Sequence, residues 1–237
     1  LKGRDCAPLG AMCDQALQQW RTLCSDEGAQ FDREITLNVG ELAPMVTWGT
    51  STQQAMPVTG RVPDAGVAGS SAEAHARALG YMGLETGQAL AELPIGAAFL
   101  GSCTNSRISD LRRAAAILRG RRVANGVRAI CVPGSMSVKR QAEAEGLDVV
   151  FRDAGFEWRE AGCSMCFFAG GESFGHRERV ISSTNRNFES RQGPETRTHI
   201  ASPEVVAASA VTGRITDPRS LVAIHGLAGN NLAGGPR

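Results

Sequence analysis

Three features that would point to particular partners are scarce in this sequence. Aromatic residues make up only 5% of the 237 residues, so an exposed surface for stacking nucleic-acid bases is not expected. The 25 Lys and Arg nearly balance the 24 Asp and Glu, giving a formal net charge of +1. Bulk attraction to nucleic acid, membranes or polyacids is therefore not indicated. No stretch approaches about 18 consecutive apolar residues, so no transmembrane helix is predicted.

The rest of the composition is that of an ordinary globular protein. Hydrophobic residues make up 42% and charged residues 21%, far from the profile of a disordered chain. Seven cysteines form an odd set in a chain too long to need a disulfide framework, so we expect reduced thiols and a cytoplasmic location. The sequence begins at Leu1 without an initiator Met or an apolar signal region. We expect part of a longer protein or a processed product.

The middle of the chain alternates apolar runs with amphipathic segments. Strands are predicted where the residues are apolar or β-branched, at 97–102, 127–132, 149–151 and 179–184. Helical spacing is found at 106–120, with Ser106 as the expected N-cap, and again at 137–146. Repeated strand–helix units predict an α/β fold, a three-layer domain with a mainly parallel sheet.

Further elements are predicted towards both ends. Residues 11–24 have helical spacing, 31–39 alternate as a strand does, and 44–63 are rich in Thr, Gly, Pro and Gln, as a long loop is. Two more helices are indicated by residues typical of helix ends. These terminal residues are Ser70 and Glu73 with Gly80 or Gly83 for the first helix, and Ser202 with Gly213 for the second.

Three of the cysteines lie at positions suited to chemistry. Cys103 follows an apolar run and precedes a helix, where backbone N–H groups favour a thiolate. Cys163 and Cys166 form a C-x2-C pair in a Gly-rich loop, and this spacing alone leaves zinc binding, redox chemistry and no function all open. A zinc site would need a fourth ligand, for which His176 or His199 is a candidate. An iron–sulfur cluster needs none if one iron stays open for substrate. The remaining cysteines are expected to be apolar fillers: Cys6, Cys13, Cys24 and Cys131.

Three motifs resemble the aconitase superfamily, and within it the isopropylmalate-isomerising branch. They are GSCTNS at 101–106, GCSMC at 162–166 and TNRNFESRQG at 184–193. The stretches at 31–58 and 197–219 are also similar, so the resemblance runs from near the first residue to about residue 220. It corresponds to the C-terminal half of the large subunit in that branch. It implies an N-terminal helix–strand segment at 1–50, an aconitase-type third domain at 51–220 and a tail at 221–237.

The resemblance implies a [4Fe–4S] cluster held by Cys103, Cys163 and Cys166, with one iron open to a substrate hydroxyl and carboxylate. A Lewis-acidic iron suits the removal of hydroxide, which is a poor leaving group. The side chains that the resemblance assigns to substrate binding are Asn185, Arg186 and Arg191. Asn105 is a further candidate because it lies close to Cys103 in the sequence. Of these, the arginines suit carboxylates because the guanidinium group is a planar fork.

The implied activity is that of a hydro-lyase in leucine biosynthesis, which isomerises 2-isopropylmalate and 3-isopropylmalate by dehydration and rehydration. Implied partners are the N-terminal half, a small subunit with the swivelling domain, and a hydroxy-dicarboxylic or tricarboxylic acid. No catalytic residue is assigned, because no Ser matches the family's base and the four His residues, at 75, 176, 199 and 225, lie outside the motifs. We therefore expect the chain alone to be inactive. The alternatives are a homoaconitase or methylmalate-type dehydratase, and a non-catalytic zinc- or RNA-binding module.

The sequence also departs from the family pattern. After GCSMC it continues FFAGGESFGHRERV, at 167–180, where the family has a Leu-containing run that leads to Met-Asn. The wall beside the cluster, and with it the choice of hydroxy acid, is expected to differ there.

Overall fold

The computed structural model describes residues 7–69, 71–168 and 171–222, and the chain divides into two compact units. The first unit, Leu1–Leu42, contains the helix α1 (Ala11–Arg21) and a 3₁₀ turn at Val39–Glu41. None of the residues of α1 is buried. The strand predicted at 31–39 is wrong, since these residues, all of them described, form no strand.

The second unit, Ala43–Arg237, carries the sheet and the other helices. Its strands among the described residues are β1 (Met45–Thr47), β2 (Ala55–Pro57), β3 (Ala97–Leu100), β4 (Arg128–Cys131), β5 (Phe156–Trp158), β6 (Arg179–Ser182) and β7 (Arg197–Ile200). Its helices in the same part of the chain are α2 (Ala72–Met82), α3 (Ile108–Leu118), α4 (Met136–Ala144), α5 (Leu147–Ala154), α6 (Pro203–Thr212) and α7 (Arg219–Val222).

The main sheet has five parallel strands in the order β5–β4–β3–β6–β7. Phe99 at its centre pairs with Ile130 on one side and Ser182 on the other. The predicted α/β fold with a mainly parallel sheet is confirmed. The chain leaves β3 towards β4 and β5, then returns to the other side of β3 as β6 and β7. The loops after β3 and β6 therefore diverge at the carboxyl edge, which is where open α/β sheets bind ligands.

The two faces of this sheet are covered differently. Along β3, Ala98 and Leu100 face a large core shared with α3, α5 and α6. Phe99 faces the opposite side, where Met165 and Phe174 cover it. Side chains alternate between the faces of a strand, so helices cover one face. The segment that contains the C-x2-C pair covers the other.

Helix termini agree with the sequence in part. Ser202 and Gly213 cap α6 as predicted, with the Ser202 hydroxyl accepting from the Val205 N–H. Helix α2 ends at Gly83, where φ is 60°, a conformation that favours glycine. Its N-cap is Ser71, whereas the predicted Ser70 lies outside the described residues.

Two local predictions are wrong. Helix α3 begins after Arg107, whose N–H donates to the Asp110 carboxylate, so Ser106 is not its N-cap. Residues 149–151 belong to α5 and not to a strand. A helix forms there because Leu147, Phe151 and Ala154, at helical spacing, are buried on one face.

Elsewhere the loop predicted at 44–63 contains the antiparallel pair β1–β2, and most of the predicted tail, 223–237, lies outside the described residues. In the part of the chain that the structure describes, no helix is long and apolar enough to cross a bilayer.

Candidate active site

The three motifs meet at the carboxyl edge of the parallel sheet. Cys103 follows β3, Cys163 and Cys166 follow β5, and the segment 183–193 follows β6. Strands β3 and β6 are neighbours although 78 residues, 101 to 178, separate them along the chain. The sheet order therefore brings distant parts of the sequence to one edge.

The loop that carries Cys103 is fastened to the end of β6. The Ser183 hydroxyl accepts from the Gly101 N–H at 3.0 Å and donates to the Gly101 carbonyl at 2.8 Å. The Asn105 side-chain amide donates to the Ser183 carbonyl at 2.6 Å. Position 101 must be glycine, because a Cβ there would lie 2.8 Å from the Phe99 ring. The structure thus gives Asn105 a role in holding the loop, while Cys103 itself is exposed.

The C-x2-C pair lies in a tight turn with an apolar anchor. Ser164–Cys166 form a single 3₁₀ turn, closed by a 2.9 Å hydrogen bond from the Cys166 N–H to the Cys163 carbonyl. Ser164 has φ of 42°, a left-handed conformation uncommon outside glycine. Met165 is 1% exposed and packs on the sheet, whereas Cys163 is exposed and Cys166 half-buried.

The three thiols are neighbours. The charge of Cys166 and its hydrogen bond to Cys163 raise the pKa of the Cys163 thiol, burial adds to this, and the nearby charge of Cys103 raises it further. Like charges gathered in this way disfavour thiolates until a cation is present to neutralise them. A nearby positive charge would therefore favour the thiolate forms of these cysteines.

A single zinc ion does not fit this set. Among the described side chains, no three or more His, Cys, Asp or Glu surround one ion position. His199 is fully buried, with Nδ1 donating to the Thr47 carbonyl at 2.6 Å and Nε2 accepting from Arg179 at 2.8 Å. His176 lies beside Glu195, at 3.9 Å. Neither His supplies the fourth ligand that the zinc alternative required.

A closed ring of ion pairs lies at the base of the cysteine loop. Arg128 binds Glu157 and Glu172, each at 2.8 Å, and Arg159 binds the same two carboxylates. These hydrogen bonds hold the pKa of Glu172 at about 2. Arg159 precedes the cysteines, Glu172 follows them, and Arg159 also contacts the Ser164 hydroxyl at 3.3 Å. The ring therefore joins the two ends of the loop.

Arg191 lies near the Cys166 thiol, and Arg186 lies near Arg191. Arg191 is 5% exposed, its guanidinium lies 5.4 Å from the centre of the Phe188 ring, and its Nε has no hydrogen-bond partner among the described residues. Burial lowers the pKa of Arg191, the charge of Cys166 opposes this, and the nearby Arg186 lowers it further. Arg186 and Asn185 are exposed. A buried cation with an unused donor is a good anchor for an anionic ligand.

Two residues that the sequence analysis did not single out hold this region together. Asn187 donates to the Gly49 carbonyl at 2.8 Å and so ties the arginine segment to the loop after β1. Gln192, fully buried, donates to the Met165 carbonyl at 2.7 Å. Both lie within the TNRNFESRQG motif, and their presence in a matched motif was the signal that could have marked them.

Fold and site together define a protein of the aconitase class. The sequence profile of the Aconitase family (aconitate hydratase) matches residues 1–213, and the chain belongs to this family. Among its relatives is the 3-isopropylmalate dehydratase large subunit of Cupriavidus necator, 65% identical over 221 residues, which are 92% of this chain and 83% of the relative. Another is 3-isopropylmalate dehydratase large subunit 1 of Bradyrhizobium diazoefficiens, 54% identical over 223 residues. The match covers 93% of this chain but only 47% of that relative.

Proposed function

We propose that the chain is the cluster-binding part of a hydro-lyase that interconverts 2-isopropylmalate and 3-isopropylmalate by dehydration and rehydration, in leucine biosynthesis. The observation that carries the proposal is the grouping of Cys103, Cys163 and Cys166 beside the buried Arg191. The names of the two relatives supply the reaction and its substrate.

The proposed cofactor is a [4Fe–4S] cluster held by Cys103, Cys163 and Cys166. What supports this proposal is that the three thiols influence one another's charge and come from two loops, those after β3 and β5. When bound, the cluster would supply Lewis acidity towards the substrate hydroxyl and a carboxylate. The protein's part is to hold the thiols at the mouth of the sheet edge, where a substrate can reach them.

The proposed role of Arg186 and Arg191 is to bind the substrate carboxylates, with Asn185 as a polar neighbour. Arg191 supports this, because its Nε is buried without a partner and its position on the Phe188 ring fixes the direction of the guanidinium fork. Arg186 adds a second positive charge nearby. Two arginines at one edge would fix the orientation of a bound dicarboxylate and would bind neutral analogues less tightly.

An apolar surface beside these cations supports a substrate with an apolar branch. Phe167 is 50% exposed and directly follows Cys166, and its ring centre lies 6.1 Å from that of Phe188. The Arg191 guanidinium in turn lies over the Phe188 ring. A carboxylate on Arg191 would thus place a neighbouring alkyl group near aromatic side chains, which stabilise it by excluding water. This arrangement favours isopropylmalate over a more polar hydroxy acid.

The proposed partners are the remainder of the large subunit and a small subunit. The chain spans 47% of the Bradyrhizobium relative, and both relatives are named as large subunits. No Ser or His in this chain is assigned as the base, so the residue that takes and returns the proton is proposed to come from a partner. The described cysteines form no disulfide, which supports a location in the reducing cytoplasm.

Anaerobic reconstitution with iron and sulfide tests the cofactor. We expect a cluster in the wild-type chain and its loss in Cys103→Ser, Cys163→Ser and Cys166→Ser. Cys24→Ser, which changes an exposed cysteine of the first unit, is the matched control and should keep the cluster. Stoichiometric zinc without labile sulfide would reject the proposal.

Steady-state kinetics of the complete, reconstituted enzyme test the arginines. Arg191→Lys keeps the charge but loses the fork, so we expect kcat/KM for isopropylmalate to fall about tenfold or more, as for hydrogen bonds to charged groups. Arg112→Lys changes an exposed arginine paired with Glu145 and should leave kcat/KM unchanged. Equal values in the wild type and in both Arg186→Lys and Arg191→Lys would refute the assignment.

A further inference from the structure

Gln192 uses every polar group it has to join the cysteine loop to the sheet. Its Nε2 donates to the Met165 carbonyl at 2.7 Å, and its Oε1 accepts from the Thr198 hydroxyl at 3.1 Å. Its backbone N–H donates to the Thr196 hydroxyl at 3.3 Å, and its carbonyl accepts from the Phe174 N–H at 3.0 Å. The side chain is fully buried, so water does not compete for these bonds.

The acceptor of this side chain lies in the middle of the C-x2-C pair. Met165 is held at both ends, because its side chain packs in the core with Phe99 and its carbonyl is bound by Gln192. A residue fixed at side chain and carbonyl cannot rotate its peptide planes. The backbone of the turn that carries Cys163 and Cys166 is thereby held, and with it the directions of their Cα–Cβ bonds.

The second partner of the Gln192 side chain, Thr198, lies in a paired strand. Thr198 lies in β7, which is paired in register along β6, Val180 with Thr198 and Ile181 with His199. The Gln192 amide therefore ties the cysteine loop, which has no strand pairing of its own, to a paired strand.

We infer that Gln192 is a positioning residue for the cysteine ligands, holding the Met165 carbonyl so that Cys163 and Cys166 present their thiols in one fixed arrangement. This rests on the proposed function only in naming the cluster as the group that the thiols receive. Groups that orient ligands are commonly worth 10–100-fold in metal affinity, and among the described residues no other group donates to the Met165 carbonyl.

The sharpest perturbation is Gln192→Glu, because it changes one hydrogen-bonding group and almost no volume. In its ionised form the new carboxylate still accepts from Thr198 but cannot donate to Met165, so two acceptors face each other. Gln192→Met removes both bonds without adding a charge. Thr198→Val removes only the bond at the far end, and valine suits a strand. Gln141→Glu makes the same change on an exposed face of α4 and is the matched control.

Two measurements separate positioning from general stability. The first is the rate at which reconstituted chain loses its cluster in air, and the second is the alkylation rate of each cysteine in the cluster-free chain, resolved by mass spectrometry. We expect cluster loss to be about tenfold faster or more in both Gln192 variants, with a smaller effect in Thr198→Val. Alkylation of Cys166 should become several-fold faster, whereas Cys163 and Cys24, already exposed, should change little.

A core variant away from this loop provides the comparison for stability. Leu118→Ala truncates a buried residue of α3 on the opposite face of the sheet and lowers the unfolding temperature without touching the bridge. If it loses its cluster as fast as Gln192→Met, or if Gln192→Met and Gln192→Glu match the wild type in both rates, the inference is overturned. Failure of the wild type to take a cluster would reject the proposed function, while the alkylation rates would still decide the role of Gln192.

Discussion

The apolar anchor of the cysteine loop makes a quantitative prediction about stability. Met165 lies between two ligands proposed for the cluster, yet it is 1% exposed and packs against the face of the sheet that no described helix covers. The buried cluster that it joins there also contains Ala97, Phe99, Ile130, Val132, Phe174 and Val180. Met165→Ala removes the tip of this side chain and leaves the backbone hydrogen bonds of the loop in place.

The size of the effect follows from how little the site can collapse. Truncation of a buried Met to Ala costs about 2–5 kcal/mol, and the cost rises with the cavity that remains. The Gln192 side chain holds the Met165 carbonyl at 2.7 Å, so the loop cannot sink into the space. We therefore expect a loss of about 3 kcal/mol or more in the free energy of unfolding.

Urea unfolding of the cluster-free chain measures this loss, with two controls. Met165→Leu conserves volume and should cost less than about 1.5 kcal/mol. Met136→Ala makes the same truncation at a residue that is 48% exposed and should stay within about 0.5 kcal/mol of the wild type. If Met165→Ala were as stable as Met136→Ala, the view that the loop is anchored through this side chain would be refuted.

Two further predictions concern pH. Glu172→Gln opens the ion-pair ring. Because the Glu172 side chain is 43% exposed, we expect the free energy of unfolding to fall by less than about 1 kcal/mol at pH 7. Since the pKa of Glu172 is lowered to about 2, this stabilisation is present above pH ~4.5 and is lost as the pH falls through about 2. A difference between wild type and variant that stayed constant from pH 7 to pH 2 would contradict this. The pKa of His199 is lowered to about 3, mainly by burial and then by the charge of Arg179. Below pH ~6.5 the imidazole therefore binds a proton in the unfolded chain but stays neutral in the folded chain, which lowers the stability of the wild type in acid. Urea unfolding should show His199→Asn to be less stable than the wild type at pH 7, with a gap that narrows towards pH 4, and a gap that widened in acid would refute this account.

The sequence predicted the fold where local pattern and burial agree. The runs at 97–102 and 127–132 became β3 and β4 because every interior position of a central parallel strand is buried, so an apolar run is their signature. Residues 149–151 misled because a short apolar run does not by itself distinguish a strand from a helix. In α5 only Phe151 of the three is buried, while Val149 is 52% exposed. Strand β7 was missed because its buried residues, Thr198 and His199, are polar. Their burial depends on partners in distant segments.

The site shows the same division. The position of Cys103 between a strand and a helix marked it for chemistry, and the motifs grouped it with the C-x2-C pair. The part played by Gln192 could not be predicted, because its partners Met165 and Thr198 are brought to it by the order of the strands. Ser106 was assigned to a helix terminus that lies one residue later, and local signals do not resolve such boundaries.

The neighbouring positions of β3 and β6 also set the order of events during folding. The contact between Ser183 and Gly101 joins residues 82 apart in the sequence, and closing a flexible loop of that length costs about 4 kcal/mol of chain entropy. We expect this contact to form after β4, β5 and the helices between them, because their folding brings its two ends together and reduces the entropy cost of closure. The three thiols therefore come together late, when the sheet is nearly complete. On the proposed function, a chain that takes up iron and sulfide at this edge would do so only after its sheet had formed.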